Sequence, residues 1–301
     1  RSLRGAGVVA YDTGRDKIVW WDTLFPKEGC RCLLHDPQRA RLYALSYPRD
    51  HLWFYDLDRR ERHDVGRIGS VNAQVLFLDR RGRVWTSSDY GRLVRYDPEQ
   101  DRLDMSPCVL PHNEAYQTGW HSVLYDAVAD PTGECIYMVT WIAEPHLMRF
   151  WPEEGPWGRV EDLGAATQAR DTSIPMDTFT DHCGGLVFGR DGMLYYVASR
   201  WDDPQVRWTL RRNSTDEPKR KTRFDGVLYR MDPQTCEHRE LATMHREEGV
   251  SNYISRGAID GRGDLYFGLV NHFQKPNGIF RVQLPQTWKE GAENPPLRLW
   301  G

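Results

Sequence analysis

The chain has 301 residues, with 40 Lys and Arg against 43 Asp and Glu, which gives a formal net charge of −3. A nucleic-acid-binding surface needs a clustered basic excess, so this balance argues against a nucleic-acid partner. No run of about 18 apolar residues occurs, so neither a membrane-spanning helix nor a membrane partner is predicted. Long amphipathic helical periodicity is absent, and the 26 Gly and 18 Pro residues suit many turns. The sequence therefore favours an all-β fold.

Strand-like segments follow one another along the chain. Residues 8–11 and 17–21 predict the third and fourth strands of a first sheet whose other two strands are not in this sequence. One complete antiparallel sheet is predicted from the segments 122–129, 135–141, 146–150 and 159–163. Gly278–Val282 and Leu297–Trp300 predict the last two strands. A single sheet of about 40 residues cannot bury both of its faces, so stacked copies of it are expected.

Two turn signals repeat and mark those copies. The first is an Asp- and Gly-containing turn between the first and second strands, followed by an aromatic residue that begins the second strand. These aromatic residues are Tyr43, Trp85, Tyr137, Tyr195 and Tyr266. The second signal is a hairpin between the third and fourth strands, as at Tyr55 with Asp56 and at Tyr96 with Asp97. Gly permits positive φ and Asp can accept hydrogen bonds within its own turn, so both signals have a local cause.

This pattern resembles the β-propeller superfamily over nearly the whole chain. The D-x-x-G-x-hydrophobic-aromatic turns are similar to those of NHL, gluconolactonase-type and streptogramin-lyase-type propellers. No Gly-His with Trp-Asp pair recurs, as it would in WD40 repeats. The resemblance implies a single propeller domain, residues 1–301, built of four-stranded antiparallel blades. Five complete blades and a half are visible, so we expect seven blades, or six as the alternative, with an incomplete N-terminal blade.

Long connections all fall on one predicted face, where each first strand begins and each second strand ends. Loops of more than about 12 residues in a compact domain are more often functional than not. Polar, aromatic and titratable residues occupy this face at the mouth of the expected channel. They are Asn72, Ser88, Asp89, Tyr90, Trp120, His121, Trp141, Asp181, His182, Arg200, Trp201, Asn252, Tyr253, Arg256, Asn271 and His272.

One chemistry that fits this set is β-elimination from a uronic-acid-containing glycoside. A neutral His, either His121 or His182, would remove the proton α to the carboxylate, because its pKa lies near neutrality. Tyr90 or Tyr253 would protonate the leaving oxygen. The predicted substrate-binding residues are Arg170, Arg200 and Arg256 as a carboxylate clamp, Trp120, Trp141 and Trp201 against sugar faces, and Asn72 and Asn252. Propeller-fold polysaccharide lyases are similar in using His, Tyr and Arg on this face.

A second chemistry places a divalent metal ion, Ca, Mn or Zn, on His121, His182 and His272, where it would polarise the substrate. Some of these lyases and the gluconolactonase-type hydrolases use a metal in this way, so a metal-dependent lactonase is an alternative function. No P-loop or dinucleotide fingerprint is present, and no nucleotide cofactor is expected.

A non-catalytic propeller that binds a glycan or a protein through the same loops is the competing class, because fold does not determine function. The six cysteines contain no C-x-x-C pair, and buried free thiols are expected at Cys135 and Cys183. Cysteine usage leaves the compartment open, with a secreted or periplasmic location favoured.

Overall fold

The computed structural model describes residues 5–69, 73–88, 90–112, 123–141, 145–167, 180–201, 224–244, 253–270, 278–284 and 297–300. Every regular element within these ranges is a β-strand. No helix in the described part of the chain is long and apolar enough to cross a membrane. The chain divides into two compact units, one comprising Arg1–Leu110 with Ser122–Leu124 and the other Pro111–His121 with Tyr125–Gly301. The prediction of one domain spanning the chain stays a prediction.

The first unit contains a two-stranded sheet and two four-stranded sheets, all antiparallel. The two-stranded sheet pairs β1 (Ala6–Asp12) with β2 (Lys17–Phe25). The next sheet consists of β3 (Gly29–Asp36), β4 (Arg41–Tyr47), β5 (His51–Asp56) and β6 (Glu61–Arg67). The third consists of β7 (Phe77–Leu78), β8 (Val84–Ser87), β9 (Arg92–Asp97) and β10 (Arg102–Val109).

The second unit contains three four-stranded antiparallel sheets, in each of which the strands are paired in chain order. The first consists of β11 (Leu124–Ala129, of which Leu124 is assigned to the first unit), β12 (Ile136–Thr140), β13 (His146–Trp151) and β14 (Arg159–Ala165). The second consists of β15 (Thr180–Phe188), β16 (Leu194–Trp201), β17 (Phe224–Met231) and β18 (His238–Met244). The third consists of β19 (Tyr253–Ile259), β20 (Leu265–Val270), β21 (Gly278–Val282) and β22 (Leu297–Trp300).

The predicted number of blades is wrong. The described residues form five four-stranded sheets and one two-stranded sheet, not seven or six blades. The sequence contains turn signals for five complete sheets, and the larger numbers depended on strands placed outside the sequence. The predicted strands themselves are confirmed, since β21 and β22 have the expected bounds and the four strands of the β11–β14 sheet agree within two residues.

In two of the repeated turns, the aromatic residue that follows the turn is bonded to the Asp of that turn. The Tyr195 hydroxyl group donates a hydrogen bond to Asp191 Oδ2 at 2.7 Å, and the Tyr266 hydroxyl group donates one to Asp260 Oδ2 at 3.1 Å. Tyr195 is therefore fully buried and Tyr266 half-buried near the start of their second strands, while each hydroxyl donor remains bonded.

The hairpin signal also has a local cause. Asp56 Oδ1 accepts hydrogen bonds from the backbone nitrogens of Asp58 and Arg59, at 3.1 and 2.9 Å. Asp97 accepts the equivalent bonds from Glu99 and Gln100. The carboxylate thus replaces water at backbone groups that the tight turn leaves unpaired.

In the second unit, the alternation of side chains buries both faces of the central strand β16. In β16, Tyr195 and Val197 pack into a cluster with Leu265 and Phe267, whereas Tyr196 packs on the opposite face. The opposite cluster brings together Tyr137, Val139, Leu147, Cys183, Ala198 and Val227. Successive sheets of the unit are therefore stacked face to face, which is the arrangement that the period-2 pattern requires.

Candidate functional site

Three of the predicted site residues lie at one end of a single sheet. The register of β15 on β16 pairs Thr180 with Arg200 and Cys183 with Ala198, with a bulge between the two pairs. His182 therefore lies on the strand next to Arg200 and at the same end of the sheet. Trp201 is the last residue of β16 and pairs with Phe224 of β17. We use the name strand-start rim for this end of the β15–β18 sheet together with the beginning of β19 and Trp141.

The beginning of β19 lies level with the beginning of β15. A Cβ atom at Gly257 would overlap the carbonyl group of Gly185, so the two backbones are in direct contact at this point. Tyr253 lies four residues before Gly257, and His182 lies three residues before Gly185. Glycine lets the two strands approach this closely. Tyr253 is the first residue of β19 and His182 the third of β15, so both lie near the starts of neighbouring strands.

Arg256 forms an ion pair rather than standing alone at the rim. Its Nη1 donates to Asp126 Oδ1 on β11 and to the Tyr125 carbonyl oxygen at 3.2 Å. The Asp126 side chain is only 5% exposed, and its Oδ2 accepts a hydrogen bond from the Leu186 nitrogen at 2.9 Å. A buried carboxylate is tolerated when it is paired and hydrogen-bonded in this way. The role of Arg256 as a carboxylate clamp for a substrate stays a prediction.

Burial and the Asp126 charge also affect the neighbouring thiol. The pKa of Cys183 is raised well above its ordinary value, mainly by complete burial and further by the negative charge of Asp126. The residue beside His182 is therefore an uncharged structural thiol, as expected from the sequence.

Trp141 directly follows β12 and packs against an aromatic residue of β11. Its ring lies parallel to that of Tyr125, with an interplanar angle of 4° and centroids 6.3 Å apart. A Cβ atom at Gly184 would lie 2.9 Å from the Tyr125 ring, so β15 covers that ring closely. The stacked pair holds Trp141 half-buried at the rim.

Tyr90 lies in the first unit, in the turn between β8 and β9, and is 70% exposed. The structure therefore gives no low-dielectric surroundings to Tyr90, and its predicted role as an acid stays a prediction. Several other predicted site residues lie outside the described part of the chain: Asn72, Trp120, His121, Arg170, Asn252 and His272.

The metal prediction stays untested for the same reason. Two of its three histidines lie outside the described residues, and His182 is described only as part of the β15 backbone. Among the residues that the structure does describe, no group of three or more His, Cys, Asp or Glu side chains is placed to hold a metal ion.

Sequence analysis missed a repeated His–Asp pair at the other edge of the sheets. His146 begins β13, and its Nδ1 lies 3.0 Å from both carboxylate oxygens of Asp162 on β14. In the first unit, His51 begins β5 and contacts Asp64 of β6 at the same distances. The signal was a His at the first position of the third strand with an Asp in the fourth, which the search for turn motifs did not include.

A third histidine, also missed, is bonded inside the second unit. The Tyr196 hydroxyl group donates to the Ala166 carbonyl oxygen at 2.7 Å and lies 2.5 Å from His238 Nδ1. With its proton used in this way, the hydroxyl oxygen accepts the Nδ1–H of His238. Burial lowers the pKa of His238 and raises that of Tyr196 well above its ordinary value. This pair is structural, since neither group is poised to exchange a proton at neutral pH.

No family model and no curated protein matches this sequence. Solved structures do match the fold. The β-propeller domain of Cps50 (Swd1) from Myceliophteria thermophila is 12% identical, covering 90% of this chain and 69% of that one, with a TM-score of 0.52. Virginiamycin B lyase from Staphylococcus aureus is 11% identical with the same coverages and TM-score. The fold is a β-propeller.

An extracellular domain from B. thetaiotaomicron is also similar, with 16% identity and a TM-score of 0.54 over 87% of this chain. The present chain spans only 29% of the length of that protein. All these identities lie far below those at which activity is shared, so the comparisons establish the propeller fold alone. Each four-stranded sheet described above is a propeller blade.

Proposed function

We propose that this propeller is a lyase that cleaves a uronic-acid-containing glycoside by β-elimination at the strand-start rim. The observation that carries the proposal is the register of the second unit. In that register His182 and Arg200 lie near the same end of adjacent strands, and Tyr253 is the first residue of the neighbouring strand β19. A base, a cation and a phenol on adjoining strand ends are the groups that this elimination needs.

In the proposed reaction, His182 removes the proton on the carbon α to the substrate carboxylate. The electron pair of that C–H bond forms a carbon–carbon double bond to the β carbon, and the β C–O bond of the glycoside breaks. Tyr253 protonates the departing oxygen. Arg200 offsets the negative charge that develops on the carboxylate, where a guanidinium group can bind both oxygens.

The aromatic residues at the rim support a saccharide as the substrate. Trp141 is held in a fixed orientation by its stacking on Tyr125, and a flat indole ring suits the face of a sugar ring. The likeness of the fold to virginiamycin B lyase supports elimination as the reaction class only at the level of fold.

The test is the appearance of the unsaturated product, followed by ultraviolet absorbance, on a panel of uronic-acid polysaccharides and oligosaccharides. We expect His182→Ala to lower kcat by about 10²- to 10⁴-fold, the usual contribution of a general base. The matched control is His146→Asn, which changes a histidine of the same unit at the opposite edge of its blade. Equal turnover by His182→Ala and wild type would disprove the assignment.

Adding a chelator to the same assay tests whether a metal ion is required. Loss of turnover on chelation, restored by Ca, Mn or Zn, would support a resident ion held by His121, His182 and His272. Metal-dependent hydrolysis of a lactone without an unsaturated product would instead establish the lactonase.

One observation favours the alternative, a propeller that binds without catalysis. Arg256, which was predicted to bind the substrate carboxylate, forms an ion pair with the buried Asp126 instead. For a glycan- or protein-binding propeller, no substrate of the panel is turned over. Titration calorimetry would then show saturable glycan binding that His182→Ala weakens without abolishing.

A further inference from the structure

We propose that Asp126 and Arg256 form a positioning clasp that aligns the starts of β15 and β19. The inference deepens the proposed function and rests on it for its catalytic meaning. The structural part of the inference concerns the alignment of strands and needs no substrate.

The clasp spans three blades of the second unit. Arg256 belongs to β19 and Asp126 to β11, and the strand between them, β15, contributes the Leu186 nitrogen that donates to Asp126 Oδ2. One carboxylate therefore binds the backbone of the next blade and a side chain of the blade after it. Its Oδ1 also accepts a hydrogen bond from the Ala127 nitrogen at 2.9 Å, which fixes the carboxylate on its own strand.

Glycine residues allow Arg256 on β19 to reach Asp126 on β11 across β15. Gly185 occupies the β15 position between the two charged residues, where its carbonyl group meets Gly257 of β19. Gly184 lies against the Tyr125 ring, with 2.9 Å between a Cβ built there and the nearest ring atoms. A side chain at Gly257 or at Gly184 would separate the strands, so the residue types of β19 and β15 at these contacts are matched to the clasp.

The clasp lies directly beneath the residues of the proposed reaction. His182 is three residues from Gly185 on β15, and Tyr253 is three residues from Arg256 on β19. Relative movement of these strands would change the distance between base and acid, and small misplacements cost catalysis heavily. Asp126 and Arg256 are therefore positioning residues, which act through His182 and Tyr253.

The experiment compares Asp126→Asn and Arg256→Lys with Asp264→Asn by native backbone amide deuterium exchange. Asp264 is the matched control, because it pairs with Arg281 in the last blade but lies at the turn end, away from the rim. We expect the two clasp variants to speed exchange at least about tenfold in residues 180–186 and 253–258 while residues 136–151 keep their wild-type rates. The control leaves all three segments unchanged.

Unchanged exchange in 180–186 and 253–258, or a uniform increase across the chain, would overturn the clasp. Where the elimination assay detects turnover, the clasp variants should lower kcat at least about tenfold with KM nearly constant, and Arg256→Lys should retain more activity than Arg256→Gln. A fall confined to KM would overturn the positioning role. Because exchange requires no substrate, failure of the proposed function and failure of the clasp are separate results.

Discussion

The indole nitrogen of Trp85 donates a hydrogen bond to Oδ2 of Asp79 at 2.7 Å, and both side chains are fully buried. The same carboxylate accepts from Arg83 Nε at 2.6 Å and from the backbone nitrogens of Arg81 and Arg83. One Asp thus organises the turn, the strand that follows it and an ion pair. The same bond from an aromatic residue to the Asp of the preceding turn joins Tyr195 to Asp191 and Tyr266 to Asp260.

Replacing this carboxylate should destabilise the first unit strongly. We expect Asp79→Ala to lower the free energy of unfolding by about 3 kcal/mol, because removing one partner of a buried, hydrogen-bonded pair leaves the other insufficiently compensated. Urea denaturation followed by tryptophan fluorescence measures the change. Asp58→Ala, at an exposed turn position, serves as the control and should stay within about 0.5 kcal/mol of wild type. Equal effects of the two substitutions would contradict this account of the turn.

His238 should make stability depend on pH. Its pKa is lowered in the fold by burial from an ordinary value of 6.5, so the unfolded chain takes up the proton at a higher pH than the native protein. The free energy of unfolding should therefore decrease as pH falls below 6.5 towards the lowered pKa. His238→Asn retains an N–H donor for the Tyr196 oxygen but does not titrate.

Thermal or urea unfolding between about pH 7 and about pH 5 provides the comparison. As pH falls, the free energy of unfolding of wild type should decrease more steeply than that of His238→Asn. The difference between the two slopes should correspond to less than about one bound proton. Parallel curves would show that His238 titrates alike in the folded and unfolded states.

The six cysteines, all free thiols in the structure, should differ widely in reactivity. Burial raises the pKa of Cys135 to about 11, and Cys183 is completely buried with a raised pKa. Cys108 is exposed. Since the thiolate is the nucleophile, native protein treated with iodoacetamide near neutral pH should be alkylated at Cys108 at least about tenfold faster than at Cys183. Peptide mass spectrometry gives the rates, and comparable labelling of both would refute the burial of β15.

The extent to which sequence predicted this molecule follows from the range of its contacts. Turn chemistry is local, and the bond from Tyr195 to Asp191 joins residues four apart, so the repeat and the strand bounds could be predicted. The Arg256 to Asp126 pair joins residues 130 apart across an intervening strand, and no spacing in the sequence signals it. The prediction of the number of blades was wrong because local signals specify each sheet but not how many sheets make up the fold.

The hairpin between β5 and β6 contains a non-glycine residue in a backbone conformation that favours glycine. Arg60 has φ of 57°, in the left-handed region, whereas its neighbour Arg59 is not among the residues with positive φ. This conformation costs a non-glycine residue about 1–2 kcal/mol, while glycine loses about 0.5–1 kcal/mol through its greater freedom in the unfolded chain. Arg60→Gly should therefore raise the free energy of unfolding by up to about 1.5 kcal/mol. Arg59→Gly makes the same chemical change one residue away and should lower the free energy of unfolding by about 0.5–1 kcal/mol.

Urea unfolding of the two variants and of wild type measures these differences. A loss of stability in both variants would mean that the Arg60 side chain contributes more than its backbone conformation costs.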